Sequence, residues 1–243
     1  MRAVFRKEIA SFFASSTAYL IIGLFLLLNG LFLWVFSGPY NIFEYGFADL
    51  SKFFLLAPWV FLFLIPAICM RSFSEEIKLG TLELIYIKPP AMWRIVSGKY
   101  LAAVTLSILA VLPTLIYVYS VSELGTTVGN LDLGQAMGSY LGLIFLIMTY
   151  AGISIFFSSL TDNQIVAFIT ALACCFLFFY VSEGLATLFT SGEASWITVN
   201  MGLKSRFESM AQGVIDTRDV IYFLSISALF LYMTSVQLKN RAR

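Results

Sequence analysis

Long apolar runs alternate with short polar stretches along most of the chain. A helix needs roughly 20 apolar residues to cross about 30 Å of hydrocarbon, and six runs come close to that length. We place them, as spans 1 to 6, at Ala18–Phe36, Phe53–Met70, Tyr100–Val121, Met137–Leu160, Ile165–Phe189 and Val220–Leu238. Only residues 161–164, with the tight turn at 161–163, separate spans 4 and 5, so these two spans should form an antiparallel hairpin. The pattern predicts an all-α polytopic membrane protein with six transmembrane helices.

Two further stretches have an amphipathic pattern. In residues 1–17, apolar side chains recur at helical spacing opposite Arg6, Lys7 and Ser11, which predicts a helix lying on the membrane surface. In residues 190–219, a second apolar set predicts an amphipathic helix at the outer face, with an ordered loop as the alternative. The two apolar sets are Val4, Phe5, Ile9, Phe12 and Phe13, and Leu203, Phe207, Met210 and Val214.

The N-terminal pattern of positive charges before an apolar run also occurs in secretory signal peptides. Here the run is about as long as a full span, and no cleavage-like small-residue site follows it directly. We therefore expect span 1 to be retained as a transmembrane helix.

The composition excludes a soluble domain of ordinary type. Hydrophobic residues make up 60% of the chain and charged residues 12%, with a mean hydropathy of +0.89; soluble domains are about half apolar and about a quarter charged. The net charge of +1 gives no reason to expect a nucleic-acid partner. The chain has no histidine, the commonest metal ligand, and its three cysteines lie in apolar runs, so we predict neither a metal site nor disulfides.

The distribution of basic residues predicts the orientation. If the N-terminal segment is cytoplasmic, eleven Lys and Arg residues lie on the cytoplasmic side and four on the outer side. Cytoplasmic loops carry the excess of Lys and Arg in membrane proteins. We therefore expect both ends of the chain and residues 71–99 to face the cytoplasm.

Residues 71–99, between spans 2 and 3, form the most polar insert in the apolar part of the chain. Arg71, Glu75 and Lys78 have helix-neighbour spacing, which predicts that span 2 continues as a helix into the cytoplasm. Gly80 should end that helix, and Thr81 should cap a short apolar one that stops before Pro89 and Pro90. Such a helix could dock in a groove of another protein or lay its apolar side on the bilayer, and the pattern favours neither.

A resemblance to a known family bears on this choice. The pattern from Glu75 and Glu76 through Gly80 to Leu84, followed by Pro90, Gly98 and Lys99, resembles the cytoplasmic loop of ABC-2-type transporter permeases. In that family the loop forms a coupling helix that docks on the ATP-binding subunit. The resemblance therefore implies a coupling interface made of Glu75, Glu76, Gly80, Thr81, Leu82, Glu83, Leu84 and Ile85.

Other segments resemble one branch of this family, the permease subunits of gliding-motility-associated ABC transporters of Bacteroidetes-type bacteria (the GldF group). They include residues 23–36, 56–73, 112–121 and 158–168, and residues 213–241 are similar to the last outer segment and final span of ABC-2 permeases. The resemblance covers nearly the whole chain, which we interpret as a single transmembrane domain over residues 1–243.

The resemblance implies a permease subunit of the inner membrane that couples ATP hydrolysis by a partner subunit to export or to gliding-motility-linked work. The sequence has no G-x-x-x-x-G-K-[ST] phosphate loop, so we expect no ATPase site on this chain, with ATP and Mg on the partner. A second copy or a related permease should complete the pathway, with spans 1 and 5 at the seam. The alternative is a non-transporting membrane anchor of an ATPase-driven motility or assembly complex. An intramembrane enzyme is disfavoured because the spans contain no arrangement of catalytic residues.

Three polar or small-residue features within the spans are further candidates. Glu183, near the outer end of span 5, is predicted either to line a pathway or to reach the outer interface. Asn29 in span 1 is interpreted mainly as an interhelical polar contact. Gly138 and Gly142 have the spacing that lets helices approach closely, which makes them candidates for a contact between permease subunits.

Overall fold

The computed structural model describes residues 1–81, 92–125, 131–187, 192–200 and 202–241, without the side chains of residues 194–197. Within these ranges the chain is helical apart from short connections. The α-helices, numbered in chain order, are α1 Arg2–Ala14, α2 Thr17–Gly30, α3 Ile42–Tyr45, α4 Ser51–Cys69, α5 Arg71–Lys78, α6 Met92–Val111, α7 Leu115–Leu124, α8 Leu133–Leu160, α9 Gln164–Phe176, α10 Ser182–Ala186, α11 Gly192–Asn200, α12 Leu203–Ala211 and α13 Thr217–Arg241. Residues Leu31–Val35 and Leu177–Val181 are π-helical.

Six helical segments of the described chain are long and apolar enough to cross a membrane, which confirms the prediction of six spans. They are Thr17–Val35, Ser51–Lys78, Met92–Leu124, Leu133–Leu160, Gln164–Ala186 and Thr217–Arg241, and from here these ranges define spans 1 to 6. The helices of spans 2 and 3 extend beyond their apolar runs. The polar residues next to these runs are compatible with an α-helix because their charged ends can reach water at the membrane surface. The fold is an all-α polytopic one.

Span 4 lies at the centre of the bundle and packs against spans 2, 3, 5 and 6. Gly152 lets span 6 approach, since a Cβ atom there would lie 3.3 Å from the Cα atom of Ser227. The Thr149 hydroxyl donates to the backbone oxygen of Phe223 at 3.2 Å in the same contact. Most residues of spans 2 and 4 are buried, whereas most of those of spans 1 and 5 are open to the surroundings of the chain.

Gly138 and Gly142 pack against the outer helix α12 of the same chain. A Cβ atom on Gly138 would lie 2.6 Å from the backbone oxygen of Met210, and one on Gly142 would lie 3.0 Å from the Met210 Cβ atom. The interpretation of these glycines as a contact between permease subunits is therefore wrong. Their close approach is real, but its partner is α12.

The outer helix α12 buries Leu203, Phe207 and Met210. Val214, which the sequence spacing placed on the same face, lies beyond the helix and is exposed, because the chain turns at Gly213 with φ +84°. The helix α12 is therefore packed onto the bundle through its apolar face.

The two ends of the chain lie on the same side of the bundle. The Arg241 guanidinium donates to the backbone oxygen of Leu160 at the end of span 4, and α1 packs against the start of span 3. That side also carries residues 71–81 and the turn at 161–163, so the basic excess noted above falls on one face. Its assignment to the cytoplasm stays a prediction.

Candidate functional site

The last part of span 2 is the helix α5, Arg71–Lys78, which we call the stem. It follows α4 after a turn at Met70, and residues 82–91 follow it. The Arg71 guanidinium and the Glu75 carboxylate form an ion pair at 3.1 Å on its exposed surface, at the predicted i, i+4 spacing. A pair of this kind adds at most about 1 kcal/mol, so other contacts must fix the position of the stem.

Gly80 ends the stem in the way that glycine ends many helices. Its φ of +67° lies in the left-handed region, and its N–H donates to the backbone oxygen of Ile77 at 3.1 Å. The Thr81 N–H donates to the backbone oxygen of Glu76, also at 3.1 Å. These two bonds form a Schellman motif, which satisfies the last carbonyl groups of the helix. The stem therefore ends at a defined point.

The start of the stem is bonded to span 4 through the hydroxyl of Ser158. This oxygen accepts from the N–H groups of Phe73 and Ser74 at 3.0 and 3.2 Å and donates to the backbone oxygen of Met70 at 3.0 Å. Ser158 and Ser74 are fully buried. The interruption between α4 and the stem is thus filled by a side chain from another span.

The end of the stem is bonded to span 3 and to α1 through Lys99. Its ammonium group lies 2.8 Å from Oε1 of Glu8 and 2.9 Å from Oε1 of Glu76, and the Lys99 side chain is only 4% exposed. We call these three residues the Lys99 bridge. The ammonium group also lies 5.2 Å from the centre of the Phe73 ring. A buried charge requires such partners because its desolvation would otherwise cost on the order of several kcal/mol.

The packing around the Lys99 bridge is uneven. Gly98 touches α1 closely, since a Cβ atom there would lie 2.9 Å from the Val4 Cβ atom. A cavity of about 390 Å³, by contrast, separates α1 from the stem, and Glu8, Glu76 and Lys99 lie in its wall. Oε2 of Glu76 is buried without a hydrogen-bond partner among the described residues. Close packing at Gly98 therefore holds α1 against span 3, whereas the ion pairs of Lys99 hold α1 near the stem across the cavity.

Half of the predicted coupling residues fall within the described chain. Glu75, Glu76, Gly80 and Thr81 form the last turn of the stem and its cap, and the Thr81 hydroxyl donates to the backbone oxygen of Glu76 at 3.3 Å. The predicted short helix from Thr81 to Ile87 lies outside the described residues beyond Thr81. So do four of the predicted interface residues, Leu82, Glu83, Leu84 and Ile85.

The two polar candidates within the spans lie far from the stem. The amide nitrogen of Asn29 donates to the backbone oxygen of Phe25 in its own helix at 2.7 Å, rather than to a second helix, and its Oδ1 atom has no partner among the described residues. Glu183 is about half exposed and forms an ion pair with Lys204 of the outer helix. The arrangement places Glu183 at the surface of the chain, and both its position at the outer interface and a role in a pathway stay predictions.

Sequence reasoning missed Ser158, Glu8 and the pairing of Lys99. Lys99 was visible as a basic residue at the start of an apolar run, and Glu8 as the one acid in the basic segment 1–17. Serines at apolar positions are frequent in this chain, so nothing in the sequence distinguished Ser158 from its neighbour Ser159.

Comparison with protein families identifies the chain. Residues 6–196, well over half of the sequence, match the model of the ABC-2 family transporter protein. The chain belongs to the ABC-2 transporter family. The matched range includes most of α1, the stem, Lys99 and Ser158, and it ends before α12. As an ABC-2 permease the chain is a multi-pass membrane component of an ABC transporter, and this membership implies an ABC ATP-binding partner. A search of curated proteins gives no significant match.

Proposed function

We propose that this chain is the permease subunit that receives, through residues 71–99, the motion produced by ATP hydrolysis in a partner ABC subunit. It uses that motion for export or for gliding-motility-linked work across the inner membrane. The observation that carries the proposal is the attachment of the stem. One hydroxyl bonds it to span 4, and one buried ammonium group bonds it to span 3 and α1.

A segment that transmits motion must itself resist deformation when the partner subunit displaces it. The stem meets this requirement because its first turn and its last turn are both held by buried polar contacts, and Gly80 fixes where it ends. Residues 82–91 join the stem to the start of span 3 and include the apolar side chains of Leu82, Leu84 and Ile85. In the proposal these side chains dock on the ATP-binding subunit.

The energy comes from the partner, which binds ATP and Mg. A ligand can drive a conformational change only if its contacts differ in free energy between the two states, and the nucleotide supplies that difference in the partner subunit. Closure of the partner then moves the docked segment, and the stem passes this displacement to spans 3 and 4.

A complete transporter requires a second permease copy or a related permease. Spans 1 and 5 are the proposed seam, since the helices of this chain cover them least. We further propose that residues 1–243 act as a single transmembrane domain, with Glu183 and Asn29 as candidate polar groups of its membrane region.

Docking is tested by replacing Leu82 and Leu84 with aspartate and measuring co-purification of the ATP-binding subunit with the membrane-inserted permease. We expect the partner to be lost, because two carboxylates would have to be desolvated in an apolar groove. Leu79→Asp is the matched control, since Leu79 is an exposed leucine just before Gly80. Retention of the partner by the double variant would contradict the proposed docking site. A second experiment distinguishes a transporting permease from a non-transporting membrane anchor. Candidate solutes should stimulate ATP turnover by the purified complex if it transports one of them.

A further inference from the structure

The connection between span 2 and the stem has an unusual bonding pattern. The helix α4 ends at Cys69 and the stem begins at Arg71, so the helical bonding is interrupted at Met70. In an uninterrupted α-helix each N–H donates to the carbonyl four residues earlier. The N–H groups of Phe73 and Ser74 also donate to the hydroxyl of Ser158 in span 4, which lies more than 80 positions away in the sequence.

The Ser158 hydroxyl uses its full bonding capacity in this contact. A hydroxyl can donate one hydrogen bond and accept two, and Ser158 donates to Met70 while accepting from Phe73 and Ser74. The Ser74 hydroxyl donates to the same Met70 carbonyl. Because these groups are buried, any movement that separates the stem from span 4 leaves polar atoms without partners.

Bending at the same point is less restricted. Helices bend where a side chain enters the ladder of backbone bonds, because fewer intrahelical bonds oppose the change in direction. The stem is therefore hydrogen-bonded to span 4 as well as being continuous in sequence with α4. Span 4 is the central helix of the bundle, so a displacement delivered to it reaches the other spans that pack on it.

We propose that Ser158 is a positioning residue that makes the stem and the cytoplasmic end of span 4 move as one unit, while the stem bends relative to span 2 at Met70. The inference rests on the proposed function, because it requires an ATP-binding subunit that moves the stem. It assigns a task to a residue that is not part of the predicted coupling interface.

The test uses the full chain in complex with its ATP-binding subunit, reconstituted in lipid nanodiscs. Spin labels are attached to cysteines at Leu79 and Asp162, which are exposed at the end of the stem and after span 4, in a variant whose three native cysteines are replaced. Pulsed electron paramagnetic resonance then gives the distance between the labels without nucleotide and after trapping with ATP and vanadate. With Ser158 present, we expect one narrow distance distribution that is the same in both states.

Ser158→Ala should broaden this distribution and make it change between the two nucleotide states. Ser159→Ala is the matched control, because Ser159 is also fully buried but donates only to Phe156 of its own helix at 2.7 Å. Ser158→Thr, which keeps the hydroxyl, should behave as the unmodified chain does. If Ser158→Ala does not assemble, Ser158→Val, which has the shape of the threonine variant without its hydroxyl, should give the same broadening.

Two results would overturn the inference. One is a distribution for the Ser158 variants equal to that of Ser159→Ala, and the other is a distance in the unmodified complex that changes with nucleotide. In both cases the ATP-binding subunit still co-purifies, so the proposed function survives. Failure of the unmodified chain to retain that subunit would instead remove the proposed function and this inference together.

Discussion

Lys99 allows a quantitative test of how the stem is held. Its ammonium group is almost completely buried between Glu8 and Glu76, at 2.8 and 2.9 Å. Removing one partner of a buried ion pair costs about 3–5 kcal/mol, because the remaining charge stays buried without compensation. Lys99→Met removes the cation and leaves two carboxylates facing each other, so we expect a loss of stability in this range.

Replacing an acidic member of the Lys99 bridge should reduce the stability less than Lys99→Met does. In Glu8→Gln the ammonium group keeps Glu76 as its partner, so the loss is that of one charged hydrogen bond, about 1.5–3 kcal/mol. The variant with Lys99→Met, Glu8→Gln and Glu76→Gln together has no uncompensated charge, and such neutral replacements are often close to neutral in stability. We therefore expect the triple variant to be more stable than Lys99→Met alone.

The measurement is equilibrium unfolding of the purified permease in mixed micelles with increasing sodium dodecyl sulfate, followed by tryptophan fluorescence. Glu75→Gln is the control, because its exposed pair with Arg71 should contribute no more than about 1 kcal/mol. The reasoning is refuted if Lys99→Met unfolds at the same detergent fraction as Glu75→Gln. It is equally refuted if the triple variant is less stable than Lys99→Met.

Three further outcomes are expected. Gly138→Val should displace α12, because its Cβ atom would lie 2.6 Å from the Met210 oxygen, and overpacking of this kind costs about 1–3 kcal/mol; thiol labelling of a cysteine at position 210 should become faster. Gly80→Val should fray the last turn of the stem, since a left-handed conformation costs other residues about 1–2 kcal/mol, and hydrogen exchange of the Thr81 amide should accelerate. Single cysteines at Leu79 and Leu124, both exposed, should react with a membrane-impermeant reagent from opposite sides of the membrane, and reaction from one side would contradict the predicted topology.

The parts of this fold that the sequence predicts are those governed by local rules. Lipid requires a run of roughly 20 apolar residues for each crossing, so each span appears as a continuous signal. The end of the stem at Gly80 was predicted in the same way, because a glycine after a run of helix-compatible charges is a frequent helix stop. In these cases the physical cause lies within a few residues of its effect.

The contacts that hold the stem depend on which helices become neighbours. Lys99 lies 91 positions from Glu8, and Ser158 lies 85 positions from Phe73, so no local pattern relates them. Gly138 shows the converse error: its spacing with Gly142 correctly indicated close approach but contained no information on the partner helix. Residues 82–91 lie outside the described residues, so the predicted interface residues beyond Thr81 stay predictions.

The two attachments of the stem differ in chemistry, and this difference assigns them different tasks. The contact at Ser158 consists of neutral hydrogen bonds between buried groups, so it resists separation of the stem from span 4. The Lys99 bridge is ionic and borders a cavity of about 390 Å³, so α1 has room to shift against the stem while the charges remain near each other. Coulomb energy falls slowly with distance, whereas a hydrogen bond weakens steeply with poor geometry. A push on residues 82–91 should therefore move the stem together with the end of span 4 that Ser158 bonds to it, and the Lys99 bridge should draw α1 along the membrane surface with them.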